Sequence, residues 1–258
     1  MLKLRDGWVA TIWVLALLLP VWFLVAALGT KFGLLDWRIG FGLMVFRLGG
    51  PLVLGVLVLA LIGLLLALLV KPRKGWGRAL VALAIPALAL GFAASVMSKA
   101  RDIPPIHDIA TDIQDPPAFS KAVIDARAAI GGNPIAPMNV PVPALNGKTV
   151  GELGKAANPG VAPVALSLSV PDATKLVAEV AAAEGLDVTS AGDGVVEAVA
   201  ETFWFGFKDD VVFRVRPAAG GTGSVVDIRS TSRVGVSDLG ANGKRIAALS
   251  AAIRARAG

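Results

Sequence analysis

The chain divides into a half with continuous apolar runs and a half with short periodic patterns. Three runs are long enough to cross a bilayer, which takes about 20 mostly apolar residues. They are GWVATIWVLALLLPVWFLVAALGT (Gly7–Thr30), LGGPLVLGVLVLALIGLLLALLV (Leu48–Val70) and ALVALAIPALALGFAASVMS (Ala79–Ser98), and none contains an acidic or basic residue. The first exceeds the apolar core of a signal peptide, holds Trp8, Trp13 and Trp22, and is followed by further runs, so it is expected to stay on the protein. Pro20 and Pro86 are positions for kinks. Between the first two runs, LLDWRIGFGLMVFRL (Leu34–Leu48) suits an interfacial helix with Arg38 and Arg47 at the headgroups.

Beyond Ser98 the pattern changes. Two Pro-Pro pairs and Asp102, Asp108, Asp112 and Asp115 predict an extended arm. A short helix follows over about 118–130, ended by Gly131 and Gly132. Four prolines between Asn133 and Gly147 predict an irregular connector. The compact part is expected from Pro159. VALSLSV (Val164–Val170) alternates as a strand does. Pro171 to Gly185 carries helix-end signals and a stripe of Ala173, Leu176, Val177 and Val180. Three strands in meander order then come from GVVEAVAETFWFGF, DDVVFRVRP and SVVDIRSTSRV. A last helix is expected over about 239–256, with Leu239, Ile246, Leu249 and Ile253 inward. The domains expected are thus a three-helix anchor over 1–100, an arm and connector over 101–158, and a compact domain over 159–258. The fold class is α+β: three N-terminal transmembrane helices, then a small, mainly antiparallel sheet with helices on one face.

Each of the three meander strands pairs an apolar face with a charged one. Arg214 and Arg216 stand on one strand, Asp227, Arg229 and Arg233 on the next, and Glu197 and Glu201 on the first. Such faces form cross-strand charge ladders on the open side of antiparallel sheets. The same residues also suit a shallow platform for anions.

Charge adds direction. Residues 1–100 carry ten Lys/Arg against two Asp, a net +8; residues 101–258 carry fifteen against seventeen acidic residues, a net −2. The basicity belongs to the membrane half, so no nucleic-acid partner is expected. KPRKGWGR (Lys71–Arg78), with Lys3 and Arg5, places the N-terminus in the cytoplasm. The chain is therefore expected in a bacterial inner membrane as a multi-pass protein whose C-terminal domain is periplasmic. No charged residue lies mid-span, which argues against ion transport. The chain has no cysteine and one histidine, His107, so no metal site and no cofactor is expected. A cation on Asp108, Asp112 and Asp115 is weaker than a solvated acidic arm.

The candidate chemistry gathers in VVDIRSTSRVGVSDLGANGKRI (Val225–Ile246), a strand, a turn and a helix start. Ser237 or Asp238 caps the helix and Gly235 and Gly240 ease the turn. A helix N-terminus also attracts anions, so Arg229, Ser230, Ser232, Arg233, Ser237, Asp238, Asn242 and Arg245 form a candidate ligand-binding site for a phosphate or carboxylate. No catalytic residue is assigned, since a serine nucleophile lacks a base and no G-x-S-x-G elbow exists. Three readings stand. The first is an envelope protein that binds a partner protein or an anionic envelope ligand. The second is a membrane-surface hydrolase of lipid or cell-wall substrate using Asp209, Asp210 and Asp238. The third is an assembly factor of a membrane complex. Ala87, Gly91 and Ser95 line the third run at four-residue spacing, which suits packing within the bundle or homo-oligomerisation.

The blocks TDIQDPPAF, NPGVAPV, VVEAVAETFWFGFKDDVVFRVRP and VDIRSTSRVGVSDLGANGKRI, in that order, resemble the domain-of-unknown-function family fourteen ninety-nine of proteobacteria, cyanobacteria and plastids. The resemblance runs from about Thr111 to Ile253. It implies membrane spans ahead of the domain, no established activity and no catalytic residue. The signature positions it matches include Asp209, Asp210, Arg229, Arg233, Asp238 and Arg245. The chain departs at Asn158–Gly160, where the family has an aromatic-Pro-Asp pattern, and at Gly243, where alanine is usual.

Overall fold

A computed structural model describes residues 1–258 in two compact units. The first is Met1–Arg101 together with Phe203–Gly206; the second is Asp102–Thr202 together with Phe207–Gly258.

The first unit holds α1 (Leu2–Lys31), α2 (Gly49–Leu69) and α3 (Trp76–Ala100), three helices long and apolar enough to cross a membrane. α1 and α3 run on through Pro20 and Pro86. Their buried positions keep a three-and-four spacing. It runs through Arg5, Val9, Ile12, Ala16 and Leu19 on α1, and through Gly49, Val53, Val56, Ala60, Gly63 and Ala67 on α2. Small residues on α2 let the helices approach; a Cβ on Gly63 would run into the Ile12 side chain. Ala79, Ala82 and Pro86 are the buried positions of α3. Ala87, Gly91 and Ser95 lie off that seam and are exposed, and nothing stands within 4 Å of a Cβ at Gly91. The small-residue stripe is therefore outside the bundle's own packing. Arg5 has a structural task beside its positive charge: buried, it donates to the carbonyls of Val70 and Pro72 and so serves the end of α2. The segment expected at the interface holds a π-helix over Arg38–Arg47.

Apart from Phe203–Gly206, the chain from Asp102 onward belongs to the second unit, so the stretch read above as arm and connector lies within that unit. It supplies β1 (Asp108–Ala110), α4 (Lys121–Ala129) and α5 (Val150–Ala157). β2 (Val164–Leu166) and α6 (Val170–Ala183) follow. The remainder is β3 (Asp187–Gly192), β4 (Val195–Glu201), β5 (Lys208–Pro217), β6 (Ser224–Ser232) and α7 (Ala241–Ala257). All strand pairs are antiparallel, in the order β1-β6-β5-β4-β3, with β2 also on β6. β1 and β2 thus share one edge of β6. The gap between them is closed by Thr111, whose N–H donates to Ile228 O and whose hydroxyl accepts from Ile228 N–H.

The apolar face buries Val196, Ala198, Val211, Phe213, Val226 and Ile228 against α6 and α7. Val177 and Val180 come from α6, and Ile246, Leu249 and Ile253 from α7. Leu239, expected in that last stripe, lies before the helix and is exposed, because the chain turns through Leu239 and Gly240 at positive φ. The strand expected over GVVEAVAETFWFGF ends at Glu201; Thr202 and Phe207 close a turn by mutual hydrogen bonds.

The charged face is largely covered, with Glu201 and Arg216 left exposed at its margins. Glu197, Asp227, Arg229 and Thr231 are buried beneath residues of the arm. Ser120 N–H donates to Glu197 at 2.6 Å, and Arg229 reaches the Pro117 and Ala136 carbonyls. Groups of both signs make this face pairable, which lets a polar arm cover it.

α5 begins with a capping box: Thr149 Oγ1 accepts from Glu152 N–H at 3.0 Å, and Glu152 accepts from Thr149 N–H at 2.8 Å. The Thr149 bonds hold the Glu152 carboxyl below its ordinary value of 4.5. Because the folded value is the lower one, the contribution of this carboxylate is complete above pH 4.5 and is lost as pH falls through the folded value. The Thr149 amide resonance is expected to titrate with a midpoint below 4.5, and the step disappears in Glu152→Gln. A midpoint at or above 4.5 counts against the box.

Candidate functional site

The second and third residues of β5 are aspartates, Asp209 and Asp210, and neighbouring residues of a strand face opposite sides. The pair lies within the strand, as expected. Asp209 points to the α7 side and accepts from Arg245 Nη2 at 2.7 Å. Asp210 points to the arm side and is shared by two guanidinium groups. Arg127 Nη1 donates at 2.7 Å, and Arg233 donates from Nη2 at 2.6 Å and from Nε at 3.0 Å.

β6 continues both sides. On the α7 side, Ser230 Oγ donates to Asn242 Oδ1 at 2.6 Å, and Asn242 Nδ2 donates to Ser232 Oγ and to His107 O at 3.0 Å. Arg245 joins them by donating to Ser230 Oγ and Asn242 Oδ1. On the arm side, Arg229 forms a two-bond pair with Asp108 at 3.0 and 2.6 Å. Asp227 accepts from both Arg214 and Arg216. Arg214 also donates to Asp115 at 2.7 Å. Burial works to lower the Arg214 value, but its bonds to Asp227 and Asp115 outweigh this, and its pKa lies above the ordinary one. Arg216 is raised chiefly by its bond to Asp227. Both stay charged throughout the physiological range.

The turn is held by its own side chains. Asp238 Oδ1 accepts from Gly240 N–H at 2.7 Å and Oδ2 from Asn242 N–H at 2.9 Å; Ser237 Oγ accepts from Leu239 N–H. A carboxylate of the chain thus occupies the place where a helix N-terminus would draw an external anion.

The structure divides the eight sequence-predicted residues. Ser230, Ser232, Asn242 and Arg245 meet on the α7 side, with Ser237 and Asp238 capping the turn. Arg229 and Arg233 lie across the sheet, each on its own carboxylate. The three arginines therefore do not converge on one point. Asp108, Asp112 and Asp115 do not gather as a cation cluster either: Asp108 and Asp115 are paired with arginines, and Asp112 accepts the N–H groups of Gln114 and Asp115.

Sequence reasoning missed the group that ties the two halves of the domain. Arg127 is 2% exposed and Asp210 1%. Besides Asp210, Arg127 donates to the carbonyls of Asn133 and Ser232. A lone arginine on a short alanine-rich helix gave little signal. Two adjacent aspartates inside a strand pattern were the better one, since one of them must face each side and both need cations.

A family model described as "Protein of unknown function (DUF1499)" matches residues 108–253. The chain belongs to this family. The match begins at Asp108, the partner of Arg229, and ends at Ile253, the last buried apolar residue of α7, so the DUF1499 region contains the whole network. No curated protein and no solved structure matches the chain.

Asn158 and Gly243, the two places where the sequence was expected to depart from the resemblance, touch each other. Asn158, at the end of α5, packs its side chain where a Cβ on Gly243 of α7 would stand.

Two outcomes are expected. Asp210→Ala leaves Arg127 buried without a countercharge and costs about 3–5 kcal/mol. Denaturation of the full chain in detergent measures it, and a loss near zero would contradict the burial. Gly243→Ala alone destabilises through Asn158. In an Asn158→Ala background the same change stabilises by about 1 kcal/mol, as alanine in a helix interior should. Additive effects in the double-mutant cycle would show that the two positions are uncoupled.

Proposed function

We propose that this chain is a membrane-anchored envelope protein whose α+β domain binds a protein partner through the turn ahead of α7. The observation that carries this is Leu239. Its φ is +53°, a conformation that costs a leucine about 1 kcal/mol or more, and its side chain is 49% exposed. Val236, three residues earlier, is 75% exposed. Strain and exposed aliphatics give the fold nothing, whereas both sides of the network behind them hold the turn in one shape. A preformed apolar knob is what a protein surface accepts at low entropic cost.

The setting we propose is a bacterial inner membrane, with the N-terminus cytoplasmic and the domain periplasmic, following the lysines and arginines at 71–78 and at Lys3 and Arg5. The exposed stripe of Ala87, Gly91 and Ser95 leaves the third span open to a further helix, that of a second copy included. The hydrolase reading loses support, because Asp209, Asp210 and Asp238 are each engaged by arginines or by backbone N–H groups. A second reading, an anionic ligand, keeps support from Arg233 and Arg245, which stay partly exposed at the rims of their pairs.

The test is site-specific photocrosslinking of the full chain in its own membrane, with the probe at Val236, at Leu239 or, as control, at Ile124. Discrete adducts at 236 and 239, and none at 124, are expected. Leu239→Gly relieves the strained φ, so it should stabilise the chain while weakening the adduct at 236. Equal labelling at all three positions overturns the reading. A thermal shift with inorganic phosphate that vanishes in Arg233→Ala would replace it with the anionic ligand.

A further inference from the structure

The turn between β4 and β5 is Phe203-Trp204-Phe205-Gly206, closed by the bonds between Thr202 and Phe207. Phe203 is 72% exposed and Trp204 54%, and their rings meet edge to face at 5.1 Å. Turn chemistry does not ask for this. The β3–β4 hairpin closes with Asp193-Gly194, and the β5–β6 hairpin with the small residues 218–223, as tight turns prefer. Contiguous exposed aromatics mark a surface that meets something apolar.

The register of the sheet says which end carries them. Lys208 pairs with Glu201 beside the turn, and Asp209 and Asp210 pair with Ser232 and Thr231. Thr231 in turn pairs with Asp108, the first residue of β1. The aromatic turn and the start of β1 therefore lie at the same end of the sheet, and the Gly-rich turns lie at the other. β1 is reached from the last apolar helix, which ends at Ala100, through residues 101–107, a connection that spans at most about 25 Å. The turn has no charge, and Glu201 and Lys208 flank it. An uncharged Phe-Trp-Phe tip with charges directly behind it has the composition of a membrane–water interface anchor.

We propose that Phe203 and Trp204 insert into the headgroup–acyl boundary of the bilayer that holds the three apolar helices. The tip then acts as a second foothold for the domain, at a site separate from the turn that carries the proposed partner contact. The occupant is lipid.

The chain has no cysteine, so a thiol introduced at one position is unique. The full chain is reconstituted in phosphatidylethanolamine–phosphatidylglycerol vesicles with Trp204→Cys, Phe203→Cys or Gly221→Cys, each carrying an environment-sensitive fluorophore. Lipids with a nitroxide high on the acyl chain and aqueous iodide serve as the two quenchers. At 203 and 204 the emission is expected to shift to the blue, to be quenched by the nitroxide lipid and to resist iodide; at 221 the reverse is expected. If 203 and 204 respond to iodide as 221 does, the tip stays in water and the proposal is overturned. If they resist both quenchers, protein covers the tip and the proposal is equally overturned. Neither result bears on crosslinking at 236 and 239, so the two readings fail separately.

Discussion

The second unit is organised around a carboxylate that no solvent reaches. Asp210 is buried, and an isolated charge there would be far too costly to keep. It is tolerated because Arg127 arrives from α4 and Arg233 from the end of β6. Neither arginine is near Asp210 in sequence, so the charge is satisfied only when arm, sheet and junction stand in their final arrangement. Buried ion pairs seldom add much net stability, yet leaving one incomplete is severe. Asp227 with Arg214 and Arg216, and Asp108 with Arg229, repeat the logic along the same face. Specification of one arrangement is what these pairs supply.

This explains where the sequence was legible and where it was not. Continuous apolar runs and period-two alternation report on single elements, and they placed the three long helices, β5, β6, α6 and α7. Turn residues and capping signals report over a few positions; the Thr149–Glu152 box is of that kind and marks α5, which the surrounding prolines and glycines obscured. The coverage of the charged face depends on which arginine meets which aspartate across roughly a hundred residues, and no local pattern encodes that. An alternating charged face reads the same whether water or a polar arm lies over it. The candidate residues around the α7 turn were recognised as a group because they are close in sequence, but strand geometry sends Arg229 and Arg233 to one side and Arg245 to the other. β3 escaped notice because its residues are mostly exposed and polar.

The network also separates two kinds of surface. Most of its charged groups are spent on one another, leaving few to engage a ligand. Large apolar side chains protrude at two turns: Val236 and Leu239 at one, Phe203 and Trp204 at the other. The paired Arg, Asp, Ser and Asn residues of the matched region form a frame behind those projections.

The position of β6 has a consequence for how the domain comes into being. Its outer edge is shared by β1 and β2, so residues 229–231 must find residues 108–110. On a ribosome adding about 5–20 residues per second, β1 is out several seconds before its partner exists. Throughout that interval Asp108 and Arg127 lack the partners they meet in the folded domain, Arg229 and Asp210, and are hydrated instead. The sheet is therefore completed only once β6 has emerged, long after β1.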